Sequence, residues 1–175
     1  TYAALGPTEG YTMSESQFAI GALPQEGLEQ CAQALSQALE GAADQREAYW
    51  KNRIQPFWQH VWPKSRDLGT PRIAESLTRL IIAARSEFPA ALAATQYWLQ
   101  PIEHPDYVIH LLHESKLCAQ FPEDALRLLN AVIADQQWPP SELRQCLNEI
   151  VQTLPQLAQD ARYRGLSEYL RKREM

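Results

Sequence analysis

Apolar residues recur every three to four positions from about residue 24 to the end of the chain, and that period predicts helices throughout. The first begins at Pro24 and carries Leu28, Cys31, Ala32, Leu35 and Leu39 on one stripe. Asp44 is placed to cap the second, whose stripe is Trp50, Ile54, Phe57, Trp58 and Val61. This stripe runs through Pro56, which therefore predicts a kink inside a helix. Thr70 as N-cap and Pro71 at the first helical position predict the third, with Ile73, Leu77, Leu80, Ile81 and Ala84 inward. The fourth starts at Pro89 (Leu92, Trp98, Leu99) and the fifth at Pro105 (Val108, Leu111, Leu112, Cys118). The sixth starts at Pro122 (Ala125, Leu128, Leu129, Val132, Ile133), with Glu123 and Asp124 suited to its positive end. The seventh begins at Pro139-Pro140 (Leu143, Cys146, Leu147, Ile150, Val151). The eighth runs from Pro155 through Leu157, Ala161, Leu166, Tyr169 and Leu170.

Pro56, Pro89, Pro122 and Pro155 stand 33 residues apart, three of them after a large apolar residue: Phe88, Phe121 and Leu154. A fixed period of this length marks stacked helical pairs. One series of helices starts at Pro71, Pro105 and Pro140, the other at Pro89, Pro122 and Pro155, and the short joins between them make neighbours antiparallel. The expected fold is all-α: a right-handed α-α superhelix of stacked hairpins, HEAT- or armadillo-like, of about eight helices. The alternative is an orthogonal bundle with accidental proline spacing. Gly69-Thr70-Pro71 resembles an ankyrin start but occurs once, and the tetratricopeptide pattern is missing.

Residues 1–22 lack periodicity and read as a lead-in or linker, leaving 23–175 as the helical-repeat domain. The chain opens on Thr1-Tyr2-Ala3 without a signal-peptide pattern, and reads as a fragment of a longer protein. With 45% hydrophobic and 21% charged residues, the 175-residue chain has ordinary globular composition. A net charge of −5 disfavours broad phosphate-backbone binding, and no apolar run is long enough to span a membrane. Three widely spaced cysteines (Cys31, Cys118, Cys146) suit reduced thiols, hence a cytoplasmic location, and each falls on an inward stripe.

Candidate chemistry is sparse. His110 and His113 share one helix face beside Glu114, a spacing that a metal-dependent enzyme could use. HExxH, glycine-rich phosphate loops and catalytic-triad spacing are all missing, so no catalytic residue, cofactor or metal is assigned. The most unusual cluster interleaves aromatics and cations: Trp50, Lys51, Arg53, Phe57, Trp58, His60, Trp62, Lys64 and Arg66, of which Trp50, Arg53, Trp58, Trp62, Lys64 and Arg66 are the candidate contact residues. Packing accounts for much of it, and a partner-binding patch is the functional alternative. The basic tail (Arg162, Arg164, Arg171, Lys172, Arg173) suits a helix C-terminus.

The run Tyr49-Trp50-Lys51-Asn52-Arg53-Ile54-Gln55-Pro56-Phe57-Trp58, with Trp62-Pro63, Phe88-Pro89 and the stretch from Phe121-Pro122 to Leu129, resembles the helical C-terminal region of large bacterial multidomain proteins. Some of those carry a sirtuin-like or NTPase effector and are associated with anti-phage defence. The resemblance covers residues 45–170 and rests on packing marks. It implies a sensor or scaffold segment, with any enzyme elsewhere. The expected function is non-catalytic contact with a protein partner or a neighbouring domain. A metal enzyme using His110 and His113, or a nucleic-acid-binding repeat, stands as the alternative.

Overall fold

The computed structural model describes residues 24–134 and 138–173, the side chain of Arg66 excepted; the expected lead-in over 1–22 lies outside them. Every regular element among these residues is helical, so the fold is all-α. None of the described helices is long and apolar enough to cross a membrane.

Helix α1 (Gln25–Gly41) buries the whole stripe from Leu28 to Leu39. The second rod is composite: α2 (Arg46–Tyr49), a π turn (Trp50–Ile54) and α3 (Gln55–His60). Pro56 explains the π turn. Proline has no N–H for the carbonyl four residues back, and its ring crowds that carbonyl, so the rod widens just before it. The Gln55 N–H bonds to the carbonyl of Trp50, five residues back. The kink expected at Pro56 is thus a local change of helical pitch.

Helix α4 (Pro71–Ala83) starts as its sequence dictates, with Thr70 Oγ1 accepting from the Ile73 N–H at 3.2 Å. The same hydroxyl donates to Glu29 Oε1 on α1 at 2.8 Å, so one cap both begins α4 and fastens it to α1. Helix α5 (Phe88–Thr95) carries Pro89 in its first turn. The fifth expected helix is broken. It forms α6 (Asp106–Glu114) and α7 (Leu117–Gln120), separated by Lys116 at φ 58°. Cys118 is still buried, but on α7 rather than as an extension of the Val108 stripe.

Helix α8 (Pro122–Val132) begins at its proline. Helix α9 (Leu143–Thr153) begins three residues after Pro140, because the Pro139-Pro140 pair lies ahead of the first turn. Pro155 opens a 3-10 turn (Pro155–Gln159), and the last α-helix, α10 (Ala161–Arg173), starts beyond it. Asp160 sets that start: its Oδ1 accepts the Arg162 N–H at 2.8 Å, an N-cap bond. Ala161, expected inward, is exposed at the first turn.

Two series of contacts order the helices. On one side α1 packs on α4, α4 on α6, and α6 and α7 on α9. On the other α3 packs on α5, α5 on α8, and α8 on α10. The series are joined by α4 on α5, α7 on α8 and α9 on α10. One continuous core results, from Leu28 in α1 to Leu170 in α10.

Candidate functional site

An open groove of about 790 Å³ runs over α1, α4 and α6, with Arg46 of α2 and Glu142, just before α9, also in its walls. Its walls are charged, and the charges bridge consecutive helices. Arg79 of α4 donates to both carboxylate oxygens of Glu40 on α1, at 3.0 and 2.7 Å. This two-pronged geometry is the strong form of an arginine–carboxylate pair. Its hydrogen bonds hold the Arg79 guanidinium above its ordinary pKa. The other side of Arg79 faces the ring of Tyr107 on α6, 5.5 Å from its centre, a cation–π contact. One arginine therefore ties three helices of the series together.

The next step is made by histidines. His110 Nδ1 lies 3.0 Å from Glu142, the residue just before α9, and its Nε2 lies 3.5 Å from Glu114. The Glu142 bond raises the imidazole pKa; desolvation opposes this, and the charges of Glu142 and Glu114 add to it. His113 Nε2 and Lys116 Nζ both lie 3.3 Å from Glu149 Oε1 on α9. The two histidines singled out by their spacing are thus together in the groove, His110 facing Glu142 just before α9 and His113 facing Glu149 within it. Among the described residues no three of His, Cys, Asp and Glu converge as a metal-holding group.

Three turns flanking this face share a feature that glycine-based reading misses. Ala43, Arg85 and Lys116 adopt left-handed backbone, at φ 48°, 55° and 58°. Each follows the residue that caps α1, α4 or α6, the place where glycine usually ends a helix. An L-residue there is strained by roughly 1–2 kcal/mol. Arg85 and Lys116 both line the groove.

The tryptophan region is built differently. Trp50 is fully buried, and Trp58 and Trp62 nearly so. Trp58 stacks on Trp62 with ring centres 4.6 Å apart, and Trp98 meets both edge-on. The Trp58 indole N–H donates to the carbonyl of Ala94 at 2.8 Å, satisfying an end carbonyl of α5. The indole nitrogens of Trp50 and Trp62 are buried without partners. These rings face inward and join α3 to α5. A shallow cavity of about 440 Å³ lies beside them, with exposed Tyr97 on its rim. Lys64 is exposed and donates to the Gln59 carbonyl at 2.7 Å. Arg53 is exposed, and the Arg66 side chain lies outside the described residues.

All three cysteines are buried. Burial pushes the Cys31 thiol up to about 11. Cys118 is raised further by its hydrogen bond to Cys146 and by burial, so both it and Cys31 stay protonated.

No family model matches the chain, and no solved structure matches it. Over 134 residues, 73% of the chain, it is 28% identical to y4cA of Sinorhizobium fredii (strain NBRC 101917 / NGR234), a protein described as uncharacterized. The match takes in 11% of that protein, so the chain spans about a tenth of the length of the relative it matches.

Proposed function

We propose that this chain is a non-catalytic helical-repeat module whose work is protein–protein contact. In this reading its pairs stack as a right-handed α-solenoid of HEAT or armadillo type. The observation that carries it is the groove itself. Glu40, Arg79, Tyr107, His110 and Glu142 form a line of side chains across α1, α4, α6 and the start of α9. Such a surface grows with each added pair and suits an extended polar segment. The groove is open rather than closed around a bound molecule.

The reading places the module within a larger bacterial polypeptide. The similarity to a small part of a much longer protein supports this. The Trp-Pro and Phe-Pro marks extend it to the defence-type multidomain proteins they resemble, with this chain as cytoplasmic sensor or scaffold. Inward packing of the indoles moves the proposed contact surface from the Trp50–Trp62 region to the groove.

Photo-crosslinking tests the reading. Benzoylphenylalanine replaces Tyr107 in the groove or Tyr97 beside the tryptophans, both well exposed, in the native host. The expected result is a discrete protein adduct from position 107 that is lost when Glu142 is changed to lysine. Adducts from neither position, or from position 97 alone, would contradict it.

A further inference from the structure

Most cations in the groove are matched by carboxylates. Arg79 has Glu40, Lys116 has Glu149, and His110 has Glu142. Arg46 and Arg85 differ: among the described residues neither forms an ion pair with a carboxylate. Glu40, beside Arg46, is committed to Arg79 and offers Arg46 only its backbone carbonyl, at 2.9 Å from Nη2. The Nε of Arg46 is buried without an acceptor. The segment that carries Arg46, α2, packs on the turn 85–87 that carries Arg85, with Ser86 Oγ donating to Glu47 Oε2 at 2.9 Å, and both arginines line the groove. Desolvation lowers the Arg85 pKa, and the charge of Arg46 lowers it further.

Two guanidiniums lining one corner, one of them with a buried Nε that has no acceptor, repel each other unless an anion lies between them. The fold also holds Arg85 in a strained left-handed conformation where glycine would sit without strain. Strain of this kind persists where the surrounding structure imposes it, and it clusters at ligand-binding sites. The chain carries net charge −5, so this positive corner is not a general property of its surface.

We propose that the Arg46–Arg85 corner of the groove is a binding subsite for a phosphate group. A carboxylate is satisfied by one arginine fork. A phosphate dianion has the charge and the oxygens to engage two. The phosphate could belong to a free small molecule or to a phosphorylated segment of a docking partner. The subsite goes beyond the contact function above and stands whether or not that function holds.

The test uses the whole chain and three probes at constant ionic strength: inorganic phosphate, an alanine-rich phosphoserine peptide, and the unphosphorylated peptide. Arginine side-chain NMR signals and calorimetry report binding. Inorganic phosphate is expected to shift the Arg46 and Arg85 signals saturably, with no response to matched chloride. Arg85→Gly is expected to weaken binding at least tenfold while raising the melting temperature, a combination that a purely structural arginine would not give. Arg46→Gln is expected to weaken binding similarly, and Lys64→Gln to leave it unchanged. A phosphopeptide that binds tighter than phosphate assigns the group to a partner; equal or weaker binding assigns it to a small molecule. No saturable shift, or undiminished binding by both Arg85→Gly and Arg46→Gln, would overturn the subsite. Adducts from position 107 without phosphate binding would overturn the subsite alone, and the reverse pattern would overturn the contact function alone.

Discussion

Phe88 and Phe121, each just ahead of a proline and 33 residues apart, stack ring on ring with centres 5.9 Å apart and planes 18° from parallel. The spacing along the chain is thereby turned into a contact between α5 and the start of α8. An offset aromatic pair contributes about 0.5–1.5 kcal/mol beyond the area it buries. A double-mutant cycle of Phe88→Leu and Phe121→Leu, read by urea unfolding, should give a coupling in that range. Strict additivity would mean that the rings do not support each other. Truncation of fully buried Phe88 to alanine should cost about 3–5 kcal/mol.

The left-handed turns give an opposite sign. Arg85→Gly and Lys116→Gly each remove backbone strain, so each should stabilise the chain by about 1 kcal/mol. Lys116→Gly also loses the pair with Glu149, but the lysine is largely exposed and such pairs contribute little. Chemical denaturation checks both. Destabilisation by both changes would show that the backbone at these turns is not strained.

Much of the helix content was legible because its signals are local. Thr70 and Pro71 announce α4, and the stripe Leu28–Leu39 is buried along α1. The left-handed ends were not legible, since Ala43, Arg85 and Lys116 have none of glycine's freedom and only tertiary packing imposes the conformation. Proline punctuation was ambiguous for a related reason. Its fixed φ suits α and 3-10 turns alike, so Pro155 begins a 3-10 turn where Pro122 begins an α-helix. In the groove, His110 and His113 were visible as a pair. Glu142 and Glu149 were not, because they lie about 30 residues away with no motif to mark them. The tryptophan cluster was legible as a cluster, while the bond that seats the Trp58 indole on Ala94 depends on α5.

Two tryptophan changes should separate burial from bonding. Trp50→Phe removes an indole N–H that has no partner, which offsets part of the lost volume, so the net cost should be about 1 kcal/mol or less. Trp58→Phe removes a hydrogen bond to Ala94 and disturbs the stack on Trp62, costing about 2–3 kcal/mol. Thermal unfolding of the two variants should show the larger loss for Trp58, although Trp50 is the more enclosed. The reverse order would contradict this assignment.

His110 gives the fold a pH response. Its folded pKa is raised above the ordinary 6.5, so the bond to Glu142 is fully present below that value and is lost as pH rises through the folded pKa. An NMR titration should place the His110 midpoint above 6.5, and Glu142→Gln should bring it down. The melting temperature should exceed that of His110→Gln below pH 6.5, with the gap closing as pH rises through the raised folded pKa. A midpoint at or below 6.5 would refute the coupling of α6 to the start of α9.

The order of α1, α4, α6 and α9 along one face can be measured directly. Cys31, Cys118 and Cys146 are buried, so spin labels on new surface cysteines at Gln30, Arg72, Asp106 and Gln145 would be selective. Neighbouring packed helices lie roughly 8–10 Å apart. If the pairs are ranked side by side, the electron–electron distance from Gln30 should lengthen stepwise to Arg72, Asp106 and Gln145. A Gln30–Gln145 distance no longer than Gln30–Arg72 would mean the helices close on themselves, and the stacked-pair account would fail.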